Sequence, residues 1–209
     1  MAKVLPVGDR RAQLLDAALA VFGAEGYSAA KVSDIVARAG VAQGTFYLYF
    51  RSKQEVVLAL FERFQEALIE ARRSSEQGAP ATPEQFRAAF LEKTRAILRA
   101  ALAQRPLAAL FMKEAMGADP ELAGRLREFH QRMADLSEEG LRQAAAAGLI
   151  RPLDPRVAAL AINGMWERVL TEYLLCGQAE PDVDRLAEQL VSLQLDGLIA
   201  RRTPGTLNR

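Results

Sequence analysis

Gln43, Thr45, Tyr47, Tyr49 and Lys53 place an amide, a hydroxyl, two phenols and an ammonium within one short span of the chain. No nucleophile–base pair is among them, and their chemistry is recognition. Glutamine can pair in bidentate fashion with an adenine edge, and threonine can bond a base or pack against a thymine methyl. Phe46, Leu48 and Phe50 alternate with these groups. A short helix with one apolar side and amide, hydroxyl and phenol groups on the other suits a DNA groove. Phe46 and Phe50 are expected to be core of a small helical unit. Gly44 costs about 1 kcal/mol in helix propensity and lets the backbone come close to a duplex.

The flanking segments position this helix. Val32, Ile35, Val36 and Ala39 fall at i, i+3, i+4 and i+7, one face of a short helix over about 32–39. Gly40 follows as a left-handed cap. The recognition segment then spans about Ala42 to Leu48, and Ser52-Lys53-Gln54-Glu55 is a capping box that starts the next helix. Upstream, Asp9 is placed to cap a helix ending at Gly26, with Leu15, Ala18, Leu19 and Phe22 as its core stripe. Arg10 and Arg11 sit in the first turn of that helix, unfavourably for its dipole.

A long helix runs from Ser52 to about Arg73, and 74–81 is the clearest linker. Thr82-Pro83-Glu84-Gln85 is a strong helix start. Pro106, Asp119-Pro120, Asp154-Pro155 and Pro181 open four more helices. The expected fold is all-α, with about nine helices: three in an N-terminal head over residues 1–55 and six behind over 56–209. The last two long helices are apolar on more than one side. Val157, Leu160, Ala161 and Gly164 form one stripe, and Ile162, Met165, Trp166, Val169 and Tyr173 another. A monomer surface helix needs only one stripe, so the second implies a partner.

Composition bounds the rest. The chain has 209 residues, one cysteine (Cys176) and one histidine (His130). No intramolecular disulfide is possible, which fits a reducing compartment. No segment approaches the ~20 apolar residues of a membrane span. There is no His/Cys cluster with metal-ligand spacing and no glycine-rich phosphate loop, so neither an enzyme nor a bound cofactor is expected. Net charge is +1, with residues 1–55 at +2 and the remainder at −1, which permits a local DNA-binding patch. The rear segment oversupplies aromatics and methionines: Phe86, Phe90, Phe111, Met112, Met116, Phe129, Met133, Met165, Trp166 and Tyr173. As a group they are candidates to line an apolar ligand pocket, although core is the simpler reading of each one.

Ile35, Ala39-Gly40-Val41, Gly44-Thr45-Phe46-Tyr47, Tyr49-Phe50 and Ser52-Lys53 occur with unbroken spacing. On these residues, 9–60 resembles the DNA-binding head of the tetracycline-repressor (TetR) family of bacterial transcription regulators. Two positions depart from the family pattern: Lys31 stands for the usual threonine and Ala42 for the usual serine, both N-caps. The resemblance implies a homodimer paired through its last two helices and bound to double-stranded, near-palindromic operator DNA. It implies base contacts from Gln43, Gly44 and Thr45 and phosphate contacts from Lys31, Ser33, Tyr47, Tyr49, Lys53, Arg10 and Arg11. It also implies an apolar effector pocket in the rear domain. Val32-Ser33, Gly40-Val41-Ala42, Gly44-Thr45, Tyr47-Leu48-Tyr49-Phe50 and Lys53 further resemble the fatty-acid-degradation branch, which responds to long-chain acyl-CoA. Arg105, Lys113, Arg125, Arg127 and Arg132 are then candidates for its phosphates. The reading is a cytoplasmic repressor released by a hydrophobic effector; the rival is an all-helical small-molecule or lipid-binding protein with no DNA role.

Overall fold

The structure, a computed structural model, describes residues 7–75, 78–114, 120–173 and 181–196. Among them are nine helices and no strand: α1 (Val7–Glu25), α2 (Val32–Ala39), α3 (Gln43–Tyr47), α4 (Lys53–Ser74), α5 (Pro83–Ala103), α6 (Arg105–Glu114), α7 (Pro120–Ala146), α8 (Pro155–Thr171) and α9 (Val183–Asp196). Met116 and Cys176, and the side chain of Met112, lie outside the described residues. The all-α expectation holds.

Local chemistry sets most of the boundaries. α1 begins at Val7, so Asp9 lies in its first turn rather than at its cap. Lys31 precedes α2 and has no side-chain acceptor; the Asp34 carboxylate compensates by accepting from the Lys31 N–H at 2.9 Å. Gly40, at φ +64°, closes α2. The Gly40 N–H donates to the Ala37 carbonyl and the Val41 N–H to the Val36 carbonyl, the Schellman pattern that fixes the turn into α3. The Ser52 hydroxyl accepts from the Glu55 N–H at 3.2 Å, but the Glu55 carboxylate reaches back to the Arg51 N–H rather than to that of Ser52. Thr82 and Gln85 repeat this arrangement at the start of α5, with Gln85 accepting from the Ala81 N–H. Asp154 caps α8 by accepting from the Arg156 and Val157 N–H groups.

Two buried clusters organise the packing. The first runs from Leu14, Phe22, Ile35, Phe46 and Phe50 through Val56, Val57, Leu60, Phe61 and Phe64 of α4 to Leu107, Phe111, Leu122 and Phe129. It crosses residue 55 without a break. The second is smaller: Leu98, Ala187 and Leu190, flanked by half-buried Leu91, Met165, Trp166, Val169 and Leu186. A row of ion pairs joins α5 to α9 beside it: Arg87–Asp196, Arg95–Asp184, Arg95–Glu188 and Arg99–Asp184.

Candidate nucleic-acid interface and effector cleft

α3 divides into two faces. Phe46 and Phe50 are buried, and Thr45 and Tyr49 half-buried, on the inner side. Gln43, Gly44, Tyr47 and Leu48 are exposed on the outer side. The division follows helical spacing, since 43 and 47, like 44 and 48, are one turn apart. The Phe46 ring packs edge-on against Tyr47 at 5.4 Å and tilted against Phe50 at 5.8 Å, so the core aromatics hold the outer face in place. Leu48 departs from the sequence reading. It is 81% exposed rather than on the apolar side, because helical spacing places it one turn after Gly44 on the outer face and not with Phe46 and Phe50.

The remaining residues expected at DNA occupy varied settings. Lys31 and Ser33 are exposed, with the Ser33 hydroxyl donating to Asp34 at 3.2 Å. Lys53 is engaged inside the head. Its ammonium donates to the carbonyls of Tyr27 (2.6 Å), Ser28 (3.2 Å) and Ala30 (2.9 Å) and lies 4.6 Å from the centre of the Tyr27 ring. An ammonium has three protons. A phosphate contact from Lys53 would therefore have to displace a carbonyl, and the role the geometry displays is to tie the α1–α2 turn to the start of α4. Arg10 donates to Gln13, which donates to the Ala39 carbonyl and so secures the end of α2. Arg11 lies over the Phe50 ring at 5.2 Å. Arg38 and Arg51, not singled out from the sequence, are both exposed on the segments flanking α3. The signal that could have found them is position: each is a cation within a few residues of the recognition segment.

The eight aromatic and methionine candidates whose side chains are described do not converge on one pocket. Phe111 and Phe129 are core residues packed on Phe61, at 4.9 and 6.1 Å between ring centres. Met133 packs at the edge of the same cluster. Phe86 and Phe90 stack on each other along α5 at 5.9 Å. Met165 and Trp166 belong to the second cluster, and Tyr173 borders an open hollow with Arg185 and Leu186. The dispersal has a simple cause: side chains at helical spacing on different helices fill different interfaces.

A cleft does exist between α4 and α7. Leu58, Phe61, Glu62 and Gln65 face Arg125, Glu128, Phe129 and Arg132 around a cavity of about 220 Å³. The two helices are tied on either side of it, by Gln54 to Glu121 at 3.0 Å and by Arg72 to the Leu136 carbonyl at 2.9 Å. Its floor is aromatic. At its rim Arg125 pairs with Glu128 at 3.8 Å, and Arg132 is exposed. The volume lies below the roughly 300–1,000 Å³ of ordinary ligand sites.

A Schellman turn from α2 into a short helix with one exposed face is the arrangement of a helix-turn-helix. The chain belongs to the tetracycline-repressor family. Residues 14–60 match the family of bacterial regulatory proteins, tetR family, and residues 81–198 match the tetracyclin repressor-like C-terminal domain. It is similar to the fatty acid metabolism regulator protein of Bacillus subtilis, 28% identical over 187 residues, covering 89% of this chain and 94% of that one. Among solved structures it resembles the fatty acid degradation regulator FadR from Bacillus halodurans, with TM-score 0.74, 27% identity, and 96% and 100% of the two chains covered. FadR from Bacillus subtilis in complex with stearoyl-CoA superposes with TM-score 0.71 and 25% identity over 90% and 99% of the two chains. These relatives are transcription regulators, and the same function class applies here.

Proposed function

We propose that this regulator is a cytoplasmic, homodimeric repressor that leaves its operator when a long-chain fatty acyl-CoA enters the α4–α7 cleft. The observation that carries the proposal is the register of that cleft: α4 begins at the recognition unit and is held against α7 on both sides of an aromatic seam with arginines at its rim. An acyl chain has to part Phe61 from Phe129, because the cavity is too small for it as it stands. Arg125 and Arg132 are placed to take the phosphates. Parting α4 from α7 shifts a helix that shares one core with the head. A complete switch from 1:99 to 99:1 takes a differential affinity of about 5.5 kcal/mol between the two states. The likeness to a stearoyl-CoA complex supports this ligand class.

The dimer rests on α8. Val157, Leu160, Ala161 and Gly164 are all exposed along one stripe, with Val157 at 62% and Leu160 at 51%. Small residues at 161 and 164 allow a second helix to approach closely, and a symmetric pair would place two α3 helices in successive major grooves, roughly 34–36 Å apart. At the operator, Gln43 and Gly44 face the bases, and Thr45 does so from a half-covered position. Tyr47, Lys31, Ser33, Arg38 and Arg51 face phosphates, with Tyr49 at the margin.

Fluorescence anisotropy on the protein's own upstream DNA, with and without stearoyl-CoA, tests the reading. Wild type should bind tightly and be released by the acyl-CoA, and a V157D/L160D variant should sediment as a monomer and lose cooperative binding. Specific binding that stearoyl-CoA leaves unchanged would remove the ligand from the proposal. Absence of specific binding at low salt would favour the ligand-binding rival.

A further inference from the structure

Leu48 is the most exposed large apolar side chain among the described residues, and it stands on the outer face of α3. Gly44, one turn earlier on the same face, raises a related question. Its φ is not positive, and a Cβ there would meet nothing within 4 Å. Nothing inside the chain requires a glycine at that position, yet it costs about 1 kcal/mol against alanine in a helix. A bare backbone and a projecting leucine, side by side on a face otherwise made of Gln43 and Tyr47, describe a surface shaped for close approach by an outside body. Inward packing is not the reason for either residue, because Phe46 and Phe50 supply it.

We infer that Leu48 is a specificity-determining residue that packs against a thymine C5-methyl in the major groove of each operator half-site, with Gly44 clearing the approach. The inference rests on the operator-binding reading above. Leucine has no donor or acceptor, so it cannot select a base by hydrogen bonding. The apolar group that base edges offer in the major groove is the thymine methyl, which distinguishes A·T from G·C and fixes the orientation of the pair. Gln43 and Tyr47 beside it supply polar contacts, so Leu48 adds a distinct element of readout rather than repeating theirs. Leu48 makes no burial contribution to the fold that would otherwise explain it.

Thymine-to-deoxyuridine scanning of the footprinted operator tests this, because it removes one methyl at a time and leaves every hydrogen bond in place. Wild type should lose affinity roughly fourfold per half-site at one symmetric thymine position, the worth of one buried methyl or methylene group. Leu48→Ala should bind the unmodified operator more weakly by a similar factor and be indifferent to deoxyuridine at that position. Leu48→Asn, which keeps the size and branching but replaces both methyls with polar atoms, should also lose the methyl effect. Circular dichroism should show all three proteins equally folded. If wild type binds the operator but no thymine is sensitive, or the variants keep the same sensitivity, the assignment of Leu48 is overturned while operator binding stands. If wild type does not bind the operator at all, the proposed function itself has failed.

Discussion

The two buried clusters are built from different materials. The first is rich in aromatic rings: Phe22, Phe46, Phe50, Phe61, Phe64, Phe111 and Phe129 run from the recognition unit through α4 into α6 and α7. The second has three buried aliphatic residues and a half-buried fringe, and the neighbouring α5–α9 contact is laced with ion pairs, exposed at Arg87–Asp196 and Arg99–Asp184 and partly covered at Arg95. The rings form separate groups joined through Val56, Val57 and Leu60, and such continuous close packing transmits displacement, because close-packed interiors do not compress. Exposed ion pairs in high dielectric hold their partners weakly. The division that matters mechanically therefore does not fall at residue 55. On one side lie the head, α4, the last turns of α5 around Ala101, α6 and the start of α7; on the other lie the middle of α5, α9 and α8, which carries the exposed stripe, with Leu170 of α8 packed against both clusters.

The largest effect that would break this comparison is a pair of deletions, one in each cluster. Phe61→Ala should destabilise by about 3–5 kcal/mol and Leu98→Ala by about 2–5 kcal/mol, as large-to-small substitutions at fully covered sites do. Denaturant melts would then match while function separates. Phe61→Ala should alter operator affinity and the response to stearoyl-CoA, since Phe61 lies between the head and the cleft. Leu98→Ala, measured well below its melting point, should keep both. Equal functional damage from the two variants would mean that the clusters do not act as separate bodies.

Lys53 gives a smaller and sharper test, and it marks where sequence reading stops. The helix pattern, the Gly40 cap, the inner positions of Phe46 and Phe50 and the bare α8 stripe were all legible, because each follows from spacing along one helix or from one residue's backbone preference. What Lys53 touches was not legible, because Tyr27, Ser28 and Ala30 reach it only through the tertiary arrangement of α1, α2 and α4. The scatter of the eight described pocket candidates has the same origin: composition shows that aromatics are plentiful and not which interface each one fills. Leu48 escapes the sequence pattern because strict alternation is a strand's spacing, and on a helical turn position 48 falls with 44 rather than with 46 and 50. Lys53→Gln should lower stability by about 1.5–3 kcal/mol, the range for hydrogen bonds to a charged group, and weaken operator binding through the displaced turn. The slope of log affinity against log salt should not change. A slope reduced by about 0.9 per lysine, with stability intact, would instead restore the phosphate contact expected from the sequence.

The smallest effect belongs to the second region. Arg87 and Asp196 join α5 to α9 at 2.8 Å, with side chains 43% and 38% exposed. Replacing Arg87 with Gln should cost only about 0.2–1 kcal/mol at low salt, as exposed pairs do. Most of that difference should disappear near 1 M salt, where screening acts over about 3 Å. Melts of wild type and Arg87→Gln across a salt series would show it as two curves that converge. Curves that stay parallel would mean that the Arg87 stem, packed along the α5–α9 seam, contributes more than its charge. The second region would then be held by packing like the first, and the mechanical contrast between the two would have to rest on the greater extent of the first cluster alone.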